Sequence, residues 1–127
     1  MGTVLMITIG TGLGSALFRD GVLIPNTEFG HLLYKKSVFE HYASNRARKE
    51  KKMSWLEWGR QFTIYLNHLN LLLSPDLFIL GGGISKKFEQ WKTHIKVSVP
   101  ITDALLRNDA GIIGAAMYAA SKIPASI

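Results

Sequence analysis

The sequence predicts an α/β domain in which strands alternate with helices along the chain. Two apolar runs, Thr3–Ile9 and Leu77–Leu80, each lead into a cluster of glycines, a pattern typical of buried strands. Between them, residues Trp55–Leu73 repeat apolar side chains every three or four positions, which predicts an amphipathic helix of about five turns. A chain of 127 residues can form one domain with a core but not a two-domain enzyme. We therefore expect residues 1–127 to form a single domain.

The first 25 residues predict three consecutive strands. The loop Gly10–Gly14 follows the first strand, and Ser15–Gly21 continues into Val22–Pro25. Asp20-Gly21 between two apolar runs is a strong hairpin signal. We expect antiparallel neighbours here, so that a mixed sheet begins with a β-hairpin meander and is covered by helices.

The long helix has marked ends. Ser54 and Glu57 have the spacing of a capping box, and Ser74-Pro75 should end the helix because proline disfavours helical geometry in the residue before it. Three further helical stretches are expected before the end of the chain: one capped by Asn26-Thr27 ahead of Glu28, one over Lys35–Lys52, and a short one capped by Ser85 that carries Phe88, Trp91 and Ile95. A strand is expected over Val97–Ile101, where Pro100 would keep it at the edge of the sheet. A last helix is expected over Ala110–Ser121.

Composition excludes several classes of protein. Hydrophobic residues make up 47% and charged residues 19% of the chain, as in folded globular domains. The longest uncharged apolar stretches are about nine residues, well short of the roughly 20 that span a bilayer. No export signal is recognisable at the start, and the absence of cysteine excludes disulfides and thiolate metal sites. These features favour a cytoplasmic protein that does not bind membranes.

Positive charge is concentrated in one segment. The net charge is +6, and seven of the 15 basic residues lie between Lys35 and Lys52. Such a cluster can attract a polyanion, or it can simply be the solvated face of a helix. Phe39 and Tyr42 lie in the segment, but no recognisable nucleic-acid-binding motif accompanies them. We therefore do not expect nucleic acid as a partner.

The glycine loop Thr8–Ser15 is the first candidate site. Glycines after a strand let backbone N–H groups converge, and threonine hydroxyls add donors, which suits phosphate oxygens. The spacing is G-x-G-x-G and the loop opens onto a strand, so it does not match the dinucleotide fingerprint, which requires a following helix. A tight turn without a ligand is the alternative.

Two further stretches contain candidate binding residues. Glu28 and His31 are three residues apart and could both bond neighbouring hydroxyls of a sugar; capping or surface roles are the alternatives. A metal site is disfavoured, because no other ligand residue stands at suitable spacing. The strand before Gly81–Gly83 would let another molecule approach the backbone closely, and a plain strand-to-helix turn is the alternative.

Taken together, these stretches resemble the ROK superfamily of sugar kinases and repressors. The stretches that carry the resemblance are, in order, Thr8–Ser15, Asn26–His31, the strand end at Gly81–Gly83 and Asn108–Ala116. Many members have a cysteine-rich zinc loop where this chain has its basic segment. In this respect the chain is most similar to the polyphosphate glucokinases, and no zinc is expected.

The resemblance implies a fold, a reaction and a set of site residues. The fold would be the C-terminal half of an actin-like (ribonuclease H-like) sugar kinase. The reaction would be phosphoryl transfer from polyphosphate and/or ATP, with Mg²⁺, to the 6-hydroxyl of glucose. The implied residues are Thr8, Gly10, Thr11 and Gly12 for phosphate, Glu28 and His31 for glucose, Gly81, Gly82 and Gly83 for the adenosine side of a nucleotide, and Arg46, Arg48, Lys49, Lys51 and Lys52 for polyphosphate.

The resemblance also implies that the catalytic base lies elsewhere. In the family, an aspartate just before the strand that corresponds to Thr3–Ile9 is the base, which would place it upstream of Met1. Asp109 is not assigned this role, because the residues after it match the family's C-terminal helix. We therefore expect the chain alone to be inactive without an N-terminal domain, and to form a homodimer through the Trp55–Leu73 helix or its neighbours. A sugar-sensing repressor domain without catalysis is the alternative.

Overall fold

The computed structural model describes residues 2–104. The strands are β1 (Thr3–Ile9), β2 (Leu13–Arg19), β3 (Val22–Ile24), β4 (Leu33–Tyr34), β5 (Ser37–Val38), β6 (Leu77–Gly81) and β7 (Ile101–Asp103). The α-helices are α1 (Glu40–Ala43), α2 (Asn45–Glu50), α3 (Trp55–Leu73) and α4 (Phe88–Trp91). The helix expected over Ala110–Ser121 and the Asn108–Ala116 stretch lie outside the described residues.

A mixed five-stranded sheet forms the centre of the fold. Its order is β3-β2-β1-β6-β7, with β1 antiparallel to β2 and parallel to β6. Asp20 and Gly21 both have positive φ, at 51° and 80°, as a tight two-residue hairpin turn requires. The expected α/β class and the hairpin meander at the start of the sheet are confirmed.

Strand β2 begins two residues earlier than the sequence pattern indicates. Leu13 pairs with Ile9, and Gly14 pairs with Thr8. A side chain at Gly14 would collide with the Thr8 hydroxyl, so the glycine allows β2 to pair alongside that residue. The loop between β1 and β2 is therefore reduced to Gly10–Gly12.

Helix α3 covers one face of the sheet. Ser54 accepts a hydrogen bond from the N–H of Glu57 at 3.1 Å, and Glu57 accepts one from the N–H of Ser54 at 3.0 Å. The helix ends at Ser74, which adopts a left-handed conformation before Pro75. Its buried face joins the inward residues of β1 and β6 in one hydrophobic core, which includes Leu5, Ile7, Trp58, Phe62, Tyr65, Leu66, Leu69, Phe78, Leu80 and Trp91. The capping box and the amphipathic helix are confirmed.

The segment Lys35–Lys52 differs from the single helical stretch expected. It begins inside a two-stranded hairpin in which Leu33 pairs with Val38, and Lys35 has a positive φ of 52°. Tyr34 stacks on Phe39 with ring centroids 4.2 Å apart. This packing against the core overrides a helix-compatible pattern, and only α1 and α2 are helical.

Three local expectations were wrong. Asn26 and Thr27 cap no helix, because Glu28 precedes a single 3-10 turn at Phe29–His31 and no side chain caps it. Ser85 lies inside a 3-10 turn (Gly83–Lys87) that starts at Gly82, and its hydroxyl donates to the Gly82 carbonyl at 2.7 Å. The last strand begins at Ile101 rather than Val97, after Pro100 has accepted a hydrogen bond from the N–H of Phe78 at 3.0 Å. That strand does stand at the end of the described sheet.

Candidate functional site

An open cleft lies where β1 ends and the glycine loop begins. It encloses about 350 Å³. The lining residues are Thr8, Ile9, Gly10, Thr11, Gly12, Leu13, Gly14, Glu28, Glu40 and Gly82. The cleft thus brings together all four expected phosphate residues, one of the two expected sugar residues and one of the three expected nucleotide glycines.

The loop presents a specific pair of backbone donors. The N–H of Gly10 donates to the Gly12 carbonyl at 3.0 Å, and the N–H of Leu13 donates to a Glu40 carboxylate oxygen at 3.0 Å. Among residues 2–104, the N–H groups of Thr11 and Gly12 have no protein acceptor. Thr8 and Thr11 are both exposed and line the same cleft, so these two amides and two threonine hydroxyls lie together at the end of β1.

Glu40 is a site residue that the sequence interpretation missed. Besides binding the Leu13 amide, its other carboxylate oxygen lies 3.7 Å from Nε2 of His31. A β-carbon at Gly12 would approach that carboxylate within 2.5 Å, so the glycine permits its entry into the loop. The one signal in the sequence that could have identified Glu40 is its negative charge within the largely basic segment Lys35–Lys52.

The position of Glu28 is fixed by Ser15. The Ser15 hydroxyl donates to the Thr27 carbonyl at 2.9 Å and accepts from the N–H of Phe29 at 3.1 Å. These two bonds clamp the backbone on both sides of Glu28 against β2. The side chain of Glu28 is exposed in the cleft, and His31 lies at the far end of the same 3-10 turn. His31 does not line the cleft itself, but it contacts Glu40, which does.

The phenol of Tyr65 lies buried in the core beneath this region. Within the described part of the chain its oxygen has no hydrogen-bond partner. Burial raises the pKa of Tyr65, and the charge of Glu40 raises it further. The phenol therefore stays protonated over the whole range in which proteins are normally studied.

The three glycines after β6 are not equivalent. Gly82 has a φ of 90°, and a β-carbon there would lie 2.6 Å from both backbone N and O of Ile9. A β-carbon at Gly81 would meet its nearest neighbour at 3.5 Å, and one at Gly83 would meet nothing within 4 Å. Of these three glycines, Gly82 alone has a backbone conformation and a close contact that exclude a side chain, and it alone lines the cleft.

The basic residues of α2 and the turn after it are divided between two environments. Arg46 and Lys49 line a depression that continues from Gly10 and Thr11. Arg48 lies over the Trp55 ring, and Lys51 lies over the Tyr42 ring. Lys52 stands in the following turn with a positive φ of 53°.

Two further observations concern metals and membranes. Among residues 2–104 there is no group of three His, Asp or Glu side chains placed to hold a metal ion. No helix within the same residues is both long enough and apolar enough to cross a bilayer.

Comparison with known proteins identifies relatives of this chain. No protein-family model matches it. Over 116 residues the chain is 42% identical to the polyphosphate glucokinase of Mycobacterium tuberculosis (strain CDC 1551 / Oshkosh), a match that covers 91% of this chain and 44% of that protein. This chain is homologous to the polyphosphate glucokinases. It spans somewhat less than half the length of that relative and corresponds to its C-terminal part.

Solved structures agree with this assignment. The inorganic polyphosphate/ATP-glucomannokinase from Arthrobacter sp. strain KM is 46% identical, with a TM-score of 0.81 over 96% of this chain and 48% of that one. A ROK family glucokinase from Streptomyces griseus, whose structure contains glucose and AMPPNP, is 23% identical with a TM-score of 0.63, over 94% of this chain and 61% of that one. At that identity it shows a shared fold alone. The expected ROK sugar-kinase fold is confirmed, and the repressor alternative is less supported than the polyphosphate glucokinase one.

Proposed function

We propose that this chain is the phosphate- and sugar-binding part of a kinase that transfers a phosphoryl group from polyphosphate or ATP to the 6-hydroxyl of glucose. One observation carries the proposal: a single cleft collects the glycine loop, two carboxylates and Gly82. Donors for phosphate and acceptors for sugar hydroxyls therefore lie side by side, as transfer between two bound substrates requires. The homology to polyphosphate glucokinases supports the choice of substrates.

The phosphate end of the cleft is formed by the loop. The amides of Thr11 and Gly12, which have no protein acceptor within residues 2–104, and the hydroxyls of Thr8 and Thr11 would bind the donor's terminal phosphates, while Gly10 keeps the approach free of side chains. A β-carbon at Gly10 would meet nothing within 4 Å, so this glycine leaves open space for a ligand. Preorganised donors of this kind stabilise the charge that develops during phosphoryl transfer.

The sugar end is formed by acidic side chains and an imidazole. Glu28 would accept hydrogen bonds from sugar hydroxyls, and Glu40 places a second carboxylate in the same cleft. His31, 3.7 Å from Glu40, would contribute through that carboxylate or bind the sugar directly. For an ATP donor, Gly81–Gly83 would face the adenosine, with Gly82 nearest the phosphates.

Mg²⁺ is expected to accompany the donor. The cleft offers carboxylate oxygens, which suits an ion held mainly by phosphates and water with one or two protein oxygens. Such an ion would neutralise charge on the phosphates. Glu28 and Glu40 are the carboxylates placed to contribute.

The catalytic base is assigned to an N-terminal domain. The residues of this chain that line the cleft have roles in binding, and the base would face them from the other side. A cleft closed by two domains also excludes water from the reaction.

We infer that residues 1–127 form one domain of that enzyme, that the enzyme acts in the cytoplasm where ATP is available, and that it is a homodimer. The exposed side chains of Leu56, Ile64 and Leu71 on α3 provide an apolar face for such a dimer.

Positive charge on the basic segment would attract the polyanionic donor. Arg46, Arg48, Lys49, Lys51 and Lys52 together create a field next to the loop that would raise the local concentration of polyphosphate, most strongly at low salt.

The function is tested by joining this chain to the N-terminal part of the Mycobacterium tuberculosis relative and measuring glucose 6-phosphate formation. We expect activity with polyphosphate and with ATP, and none above background from the chain alone. Glu28→Gln, which removes the negative charge of the sugar's acceptor, should lower kcat/KM for glucose by about 10- to 100-fold, the order expected when a hydrogen bond to a charged group is weakened. Full activity of Glu28→Gln, or activity of the chain alone, would contradict the proposal.

A further inference from the structure

We infer that a bound polyphosphate chain leaves the glycine loop along one side of α2, where Arg46 and Lys49 hold it, while Arg48 and Lys51 hold the fold together instead. The inference rests on the proposed function, and it divides the basic segment into binding and structural residues. The two pairs have the same charge and lie within six residues of each other, so only geometry distinguishes them.

Helix α2 is fixed directly to the loop. The N–H of Arg46 donates to the Gly10 carbonyl at 3.2 Å, and the Ser44 hydroxyl accepts from the N–H of Ala47 at 3.1 Å to cap the helix. Arg46 and Lys49 are three residues apart and so share one side of the helix. Both are exposed and line the depression that starts at Gly10 and Thr11.

Arg48 lies on another side of α2 because successive helical residues are rotated by about 100°, and Lys51 lies in the turn just after the helix. Arg48 is half-buried, with its guanidinium carbon 4.1 Å from the centre of the Trp55 ring and its Nε donating to Asn45 at 3.0 Å. Lys51 has its ammonium 4.4 Å from the centre of the Tyr42 ring and donates to the His41 carbonyl at 3.2 Å. Each of these cations already has an aromatic face and a hydrogen-bond acceptor.

A carboxylate competes with the ligand at the same place. Glu50 lies 3.4 Å from Arg46 in an exposed ion pair and lines the same depression. Glu40 and His41 line the neighbouring depression beside Thr11. A phosphate chain must therefore displace Glu50 from Arg46, and removing that negative charge should strengthen binding.

We expect the two donors to use different neighbours of the glycine loop. Gly82 meets the loop at Ile9, whereas α2 meets it at Gly10. ATP has three phosphates and would extend toward Gly82, so it would depend little on Lys49. A long polyphosphate has further charges that can follow α2.

Binding of a linear polyphosphate of defined length is measured by calorimetry on the 127-residue chain. Two double variants are compared, and each removes two positive charges. Arg46→Gln/Lys49→Gln tests the proposed binding residues, and Arg48→Gln/Lys51→Gln is its matched control. We expect the first pair to raise Kd about tenfold or more and the second less than about threefold, with Glu50→Gln lowering Kd. Circular dichroism checks folding; if the second pair fails to fold, Lys51→Gln and Lys49→Gln are compared as single variants.

Two results would overturn the inference: equal weakening by both pairs, which would indicate a diffuse field, or unchanged binding in Arg46→Gln/Lys49→Gln. The glucokinase assay of the joined protein separates this result from the proposed function. Absence of activity there with both donors would contradict the proposed function while leaving the binding comparison intact. Activity with polyphosphate together with equal binding losses would contradict only the inference.

Discussion

The Glu40 carboxylate accepts a hydrogen bond from the backbone N–H of Leu13 at 3.0 Å and places its second oxygen 3.7 Å from His31. One side chain thus connects the glycine loop to the 3-10 turn that follows Glu28 and ends at His31. It does so from α1, an element that follows both in sequence. The shape of the cleft therefore depends on Glu40 as well as on the loop.

Replacing Glu40 should loosen the loop. Glu40→Ala leaves the half-buried Leu13 N–H without an acceptor, and we expect a loss of about 1–2 kcal/mol in the free energy of unfolding. Hydrogen exchange at the Leu13 amide should accelerate, and Glu40→Gln, which keeps an acceptor oxygen, should lose less. Glu89→Gln, which removes an exposed pair with Lys92, is the control and should change stability by less than about 0.5 kcal/mol. Unchanged exchange at Leu13 in Glu40→Ala would show that this bond does not hold the loop.

Ser15 should affect sugar affinity without touching the sugar. Ser15→Ala removes both hydrogen bonds that clamp residues 27–29, at a cost of about 1–2 kcal/mol, and frees Glu28 to move. In the joined protein we expect KM for glucose to rise several-fold while KM for polyphosphate changes little. The control is Ser98→Ala, because Ser98 is exposed and, among residues 2–104, its hydroxyl accepts just one long bond of 3.4 Å from Asn70. A rise in KM for both substrates would indicate general loosening instead.

The glycines after β6 should respond unequally to alanine. Gly82→Ala combines a φ of 90° with a collision against the Ile9 backbone, so we expect a loss of about 3 kcal/mol or more. Gly83→Ala and Gly81→Ala have room for the β-carbon and should each change stability by less than about 1 kcal/mol. Chemical denaturation of the three variants checks this order. Equal effects would mean that the loop relaxes around Gly82.

Acid should weaken the start of α3. The N–H of Ser54 donates to the Glu57 carboxylate and lowers the pKa of Glu57 below its ordinary value of 4.5, with a smaller lowering from the Ser54 side chain. Because the folded-state pKa is the lower one, this contribution is present above the unfolded pKa and is lost as pH falls through the folded pKa. The melting temperature of the native chain should therefore fall more steeply below about pH 4.5 than that of Glu57→Gln. Parallel curves for the two proteins would contradict the assignment.

The sequence predicted correctly those elements that are determined by interactions between residues close together in the chain. The capping box and apolar spacing located α3, and Asp20-Gly21 located the hairpin, because these signals act over a few residues. The β4–β5 hairpin was missed because it depends on the contact of Tyr34 with Phe39 and on a positive φ at Lys35. Neither the ring contact nor the positive φ can be predicted from the spacing of hydrophobic residues.

The candidate site was predicted in part for the same reason. The glycine loop and Glu28 stand in recognisable stretches and do meet in one cleft. Glu40 joins them through a tertiary contact across 27 residues, which no local pattern encodes. The basic segment looked uniform in sequence, and its division into loop-facing and ring-stacked residues follows from the rotation of α2 and from the turn that places Lys51 over Tyr42.

In the proposed enzyme, the glycine loop binds the phosphates of the donor. The most direct test is a titration of the isotopically labelled chain with tripolyphosphate, followed by amide chemical shifts. We expect the largest shifts at the N–H groups of Thr11 and Gly12, which have no protein acceptor among the described residues, and smaller ones at Gly10 and Leu13, whose N–H groups are already bonded. Shifts confined to the basic segment, with Thr11 and Gly12 unmoved, would contradict it.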